Sequence, residues 1–202
     1  MTIEPLGELQ RYPDIEEWFV SGEIPIPYLG GIELPFIIEA IEGDQAPQEF
    51  TNAIQRFLGL LASERDRAAP YVFDTYKRFV DLVGEDEFDF TIESPADVWP
   101  HVDLTTVHVS RRPYGDKKVY IQMTGNCDWE EEHGLQIVLR EGHELARVSE
   151  LDGHLTTADA FALPEEQDSI IYKGYKTSHD NPLPAMSRNF TDSYNPKEWR
   201  RN

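Results

Sequence analysis

Two apolar stripes at helical spacing restrict the fold more than any other feature of this chain. Phe50, Ala53, Ile54, Phe57, Leu58 and Leu61 fall at i, i+3, i+4, i+7, i+8 and i+11, which puts them on one side of a helix. Ala69, Val72, Tyr76, Phe79, Val80 and Val83 repeat the pattern, and Gly84 follows as a C-cap. Asp44 and Pro47 mark the first helix start. The link Ser63-Glu-Arg-Asp-Arg-Ala68 is short and polar, so the two helices are expected to be antiparallel neighbours with both stripes in the core.

Strand patterns flank this pair. In the segment from Gly22 to Gly31 the prolines block ladder donation, which confines any strand there to a sheet edge. Ile32 to Ile41 is rich in Ile and Phe and reads as a strand interrupted by Pro35. Beyond the helices, Ser94 as N-cap and Pro95 at the first helical position predict one short helix ended by Pro100. The acidic run Glu85–Asp89 before it reads as a solvated loop. Val107 and Val109, then Val119, Ile121 and Met123, alternate with polar neighbours. Leu135 to Leu139 and Leu145 to Val148 flank a turn at Gly142. Strands, a helix pair and then consecutive strands with short links predict an α+β fold: an antiparallel β-meander, an N-terminal strand region and the helix pair packed on one face.

A change of character after Tyr172 predicts a single domain over 1–172 and a basic tail over 173–202. That tail carries six Lys/Arg against three Asp/Glu. Its Pro and Asn content argues for an extended segment outside the core, and its aromatic residues for partial docking on the acidic body. The whole chain of 202 residues has 18 Lys+Arg against 38 Asp+Glu, a formal charge of −20. Such a field repels polyanions, which excludes nucleic acid as a direct partner and favours a cationic protein. The lone Cys127 excludes an internal disulfide and fits a reducing cytoplasm. The start lacks the basic and apolar regions of a signal peptide. No apolar run is long enough to span a membrane. The expected location is therefore cytoplasmic, without a membrane partner.

Chemistry-bearing groups are densest from Gly125 to Gly134, where a thiol, four carboxylates and an imidazole occur within the seven residues Cys127 to His133. As a plain strand connection, this segment would pack Trp129, use Gly134 for an unusual backbone angle and leave its charges solvated. As a partner-binding patch, it would present Trp129 as an anchor among Asp128, Glu130, Glu131, Glu132 and His133. As a metal-dependent hydrolytic site, it would use Asp128, Glu130, Glu132 and His133. Against that last reading, His133 faces away from Glu130 and Glu132 on a regular strand, and one Cys with one His does not complete a zinc site. Carboxylate neighbours are expected to raise the Cys127 pKa and weaken it as a nucleophile. Phosphate-binding glycine loops, a Gly-x-Ser-x-Gly elbow and Cys-x-x-Cys pairs are all absent from the sequence. No catalytic residues and no cofactor are assigned on these grounds.

Cys127, Trp129, Glu132, His133, Gly134 and Leu135 match a Cys-x-Trp-x-x-Glu-His-Gly-Leu signature, and on it the chain resembles a bacterial family, domain of unknown function 6985. Gly31-Ile-Glu-Leu-Pro-Phe36 and the helix pair are similar too, so that the resemblance covers roughly 15–160 and leaves the tail outside. The resemblance implies a non-catalytic binding role, through an association of such domains with toxin-immunity neighbourhoods. The expected function is a bacterial cytosolic binding protein of the immunity type that holds a basic partner on its acidic surface. The alternatives are the metal-dependent hydrolase and a structural or regulatory domain.

Overall fold

In the computed structural model, residues 1–174 are described. The tail expected over 173–202 therefore lies outside the described residues but for Lys173 and Gly174. Chain order runs β1 (Thr2–Ile3), β2 (Gly7–Glu8), β3 (Gln10–Arg11), β4 (Trp18–Ile26), β5 (Ile32–Glu39), α1 (Gln48–Leu58), α2 (Ala62–Arg65), α3 (Ala69–Val83), β6 (Val102–Arg111), β7 (Val119–Cys127), β8 (Glu130–Arg140), β9 (Glu144–Ser149) and α4 (Thr157–Phe161). Strands β3 to β9 form one seven-stranded sheet in sequence order, and β1 and β2 pair separately. The fold class is α+β, as the patterns predict.

The N-terminal strands and the meander are one sheet, joined where β5 and β6 run parallel through Phe36–Val107, Ile37–His108 and Ile38–Val109. All other neighbours in the sheet are antiparallel. A parallel neighbour needs a crossover, and residues 40–101, which carry the helices, supply it. Prolines find their places accordingly. Strand β3 covers only Phe19 and Val20 of β4, so Pro25 lies on an open edge. Pro35 precedes the three residues that pair with β6. A bulge between Val20 and Glu23 turns Ser21 inward, where its Oγ accepts from Phe36 N at 2.9 Å.

One sheet face is apolar in register. Phe36 and Ile38, Val107 and Val109, Ile121 and Met123, Ile137 and Leu139, and Val148 are all buried there with the helix stripes. Phe50, Ala53, Ile54 and Phe57 of α1 are buried, and α1 lies over β6 and β7 while α3 reaches β9. The Phe57 ring meets Tyr28 and Phe36 with centroids 5.9 and 6.1 Å apart. The stripe stops earlier than its periodicity predicts: α1 ends at Leu58, and Leu61 is 62% exposed before the short α2. Phe79 packs at the core margin and Val83 is exposed. The single helix expected from Pro95 is two 3-10 turns, Pro95–Asp97 and Trp99–His101, because Pro100 is accommodated within the second. The β8–β9 turn approaches α1 so closely that a Cβ on Gly142, at φ +79°, would overlap the Ala53 carbonyl.

The second sheet face is covered by residues 152–168, held mainly by charge. Arg112, 1% exposed, donates to Asp159 through Nε and Nη2 at 2.7 Å each and to Glu165 at 2.9 Å. Arg147 grips Asp152 at 2.7 and 2.6 Å and the His154 carbonyl at 2.8 Å. Between them Tyr120, Val138 and Leu155 form a small apolar cluster. At the other end Arg111 ties β6 to the approach to α1, through Asp44 at 2.6 Å and Glu49 at 2.7 Å.

Phe57→Ala is expected to cost about 3–5 kcal/mol, because surrounding rings on two elements cannot collapse into the space; an unchanged melting temperature would refute that placement. The arginine clamps also set a pH dependence. Hydrogen bonds from Arg111 and Arg112 hold Asp44 and Asp159 below the usual carboxylate range. Burial pushes Asp152 up, but the Arg147 contacts and the His154 amide bring its pKa below the usual value. A depressed folded pKa stabilises the fold above the unfolded Asp value of about 3.9, and that contribution is lost as pH falls through the folded values. The urea midpoint should therefore drop on acidification below about pH 5, and Asp159→Asn should reduce that slope.

Candidate functional site

The Gly125–Gly134 cluster is a hairpin with a bulge rather than a long connection. Cys127 pairs with Glu130, leaving Asp128 and Trp129 as the turn, while Gly125 pairs with Leu135. Residues 131–134 therefore stand opposite Asn126 alone and are pushed out of the ladder. Gly134 closes this bulge at φ +69°, where a Cβ would run into the Gly125 carbonyl.

The structure gives each expected site residue a distinct position. Trp129 is buried, with its ring edge-on to Tyr76 at 5.9 Å in a cluster that also includes Phe88 and Phe90. The acidic run before β6 thus exposes its carboxylates while Phe88 packs inward. Glu130, with a side chain only 15% exposed, folds its carboxylate back to accept from the amides of Glu132 (2.9 Å) and His133 (3.2 Å). It holds the bulge, and is less accessible than a solvated patch residue would be. Glu131, Glu132 and His133 are exposed. Asp128 Oδ2 lies 2.9 Å from His101 Nδ1, and the His101 ring stacks on Phe90 at 4.8 Å.

The cluster is thereby divided between two concavities. Asp128 and Glu131 join His101 and Asp103 around a depression of about 260 Å³. Trp129, Glu130, His133 and Gly134 instead line a cleft of about 730 Å³ between α3 and the β8–β9 side of the sheet. Asp128, Glu130, Glu132 and His133 do not gather around one point, and among the described residues no three His, Cys, Asp or Glu side chains are placed to hold a metal ion. Cys127 is buried, with Sγ 3.7 Å from the Glu130 carbonyl, and its thiol is pushed up to about 12. Burial is the principal cause, ahead of the neighbouring carboxylates. A thiol so held is a core side chain at neutral pH.

The larger cleft escaped sequence reasoning. Its walls come from Asp74, Arg78, Phe79 and Leu82 of α3, from Arg147 to Asp152, and from Thr157, Phe161, Ile171 and Tyr172. One signal was legible: Leu82 falls off the α3 stripe, and it is 79% exposed.

Two substitutions separate scaffold from surface. Gly134→Val should destabilise by more than about 1 kcal/mol, since a β-branched residue meets both positive φ and the Gly125 carbonyl. Glu130→Gln should cost about 1 kcal/mol by weakening two charge-assisted bonds, whereas Glu131→Gln should stay within about 0.5 kcal/mol. Equal urea midpoints for the two glutamate variants would refute the role given to Glu130.

No helix among the described residues is long and apolar enough to cross a membrane. No curated protein and no solved structure matches the chain. The profile of the family described as Domain of unknown function (DUF6985) matches residues 5–155, from the N-terminal strands through the meander to the Asp152 loop. The chain belongs to that family.

Proposed function

We propose that this protein is a non-catalytic binding protein of the bacterial cytosol, of the immunity type, which captures a basic protein partner on its acidic surface. The observation that carries this reading is where the positive charge goes. Arg111, Arg112, Arg140 and Arg147 are each held by carboxylates of the chain itself, and Arg11, Arg56 and Arg78 also lie in ion pairs. Most of the cationic side chains in the body are spent internally, so the remaining carboxylates face solvent with little local compensation. The exposed Glu131 and Glu132 and the run Glu85–Glu87 are part of that surface. A field of this sign steers a cationic protein toward the surface and speeds association, an effect that salt weakens.

The metal-dependent hydrolase has less to stand on, because Asp128 lines one concavity, Glu130 and His133 line another, Glu132 lines neither, and Glu130 is occupied with backbone amides. For the test, the purified chain serves as bait in lysate of the source cell at low and high salt, followed by titration of the purified captured protein. The expected result is one basic protein bound in simple stoichiometry, with an affinity that falls as salt rises. Failure to retain a basic protein, or binding indifferent to salt, would overturn the reading.

A further inference from the structure

Capture by a diffuse field does not explain why the surface is also concave and apolar at one place. Resting on the binding reading above, we propose that the cleft between α3 and β9 seats a short segment of the basic partner, one whose apolar side chains are bracketed by Lys or Arg. The dimensions suit such a segment. From Asp74 to Leu82 the α3 wall runs about 12 Å at 1.5 Å per residue, room for about three or four residues of extended chain. The volume of about 730 Å³ falls among clefts that enclose most of a bound group.

Two observations converge on that occupant. The lining is mainly apolar, with Phe79, Leu135, Val148 and Ile171. On the α3 rim Leu82 leaves most of its side chain in water, an unfavourable exposure that a docked apolar side chain would relieve. The rim is also acidic. Arg147 is taken by Asp152, and Arg78 by Asp74 and the Tyr172 carbonyl at 2.8 Å. The carboxylate of Glu150, by contrast, has no partner among the described residues.

The test is anisotropy of a labelled synthetic peptide of alternating leucine and lysine, titrated with the full chain. Replacing its leucines by serine should weaken binding roughly tenfold or more. Leu82→Asp and Glu150→Lys should each weaken it roughly tenfold. Glu33→Lys, the same charge change at an exposed position of β5, should leave it unchanged. Leu151→Asp repeats the measurement from the other wall, should Leu82→Asp disturb the fold. Salt-sensitive binding that ignores both aspartate variants and the loss of leucine overturns the cleft as the docking site, yet leaves capture by the acidic surface standing. Absence of binding by either peptide also overturns the cleft proposal, with the bait experiment deciding the broader reading separately. Displacement of the probe by a synthetic peptide of residues 175–202 would reassign the cleft to this chain's own C-terminal segment. Self-association of the chain that Leu82→Asp abolishes would reassign it to a second copy.

Discussion

The parallel contact between β5 and β6 governs the rest of the architecture. Two parallel neighbours cannot be joined by a tight turn, so the chain must leave the sheet and return across its face. Residues 40–101 make that passage, and what they carry over the sheet is the pair of apolar stripes. The same excursion joins the N-terminal strands to the meander as one seven-stranded sheet. Aromatic packing of Phe57 on Phe36 and Tyr28 then connects helix, strand and the turn after β4. The Gly142 turn, pressed on the Ala53 carbonyl, ties the β8–β9 hairpin to the same helix. Hydrophobic burial supplies the drive here, and the crossover decides what is buried against what.

The opposite face follows another logic. It has few apolar side chains to bury and is covered by a segment anchored through buried arginines. A buried ion pair contributes little net stability compared with an apolar contact, yet losing one partner is expensive because a charge is then stranded. Arg112 and Arg147 thus act chiefly as locators: the 152–168 segment sits where their carboxylate partners Asp152, Asp159 and Glu165 meet them. Gln136 extends this polar seam by donating to Ser149 Oγ at 2.9 Å and Asp152 Oδ1 at 3.1 Å. The seam holds two guanidinium groups among three carboxylates, so neither arginine is left as a free cation on the exterior.

The hairpin between β7 and β8 shows how the backbone of a short segment disperses a run of functional groups. Seven consecutive residues with six functional groups look like one site on paper. The bulge at 131–134 separates them by direction, with Trp129 buried, Glu130 turned back on the bulge amides, Asp128 and Glu131 on one concavity and His133 on another. What stays exposed on the hairpin is Asp128, Glu131, Glu132 and His133, divided by direction. That is a poor arrangement for concentrating several groups on one reacting atom.

Periodicity determined the helix stripes and the alternating strands, missing proline donors the edge placement of the proline-rich strand, and composition the acidic character of the surface. Each of these is decided by neighbours a few residues away or by simple charge counting. The backbone demand at Gly134 was legible in the same way, since a glycine before a strand restricts its own surroundings, whereas the sequence left Trp129 open between packing and anchoring a partner. Only the tertiary structure decided the parallel junction, the covering of the second sheet face, the inward turn of the Glu130 carboxylate and the cleft beside α3. Those depend on groups far apart in the chain: Arg112 meets Asp159 and Glu165 across 47 and 53 residues. The walls of the cleft likewise come from helix, hairpin and C-terminal segment together. Charged side chains carry no periodic signal of which partner they will find, because that choice is made by the distance the folded backbone leaves between them.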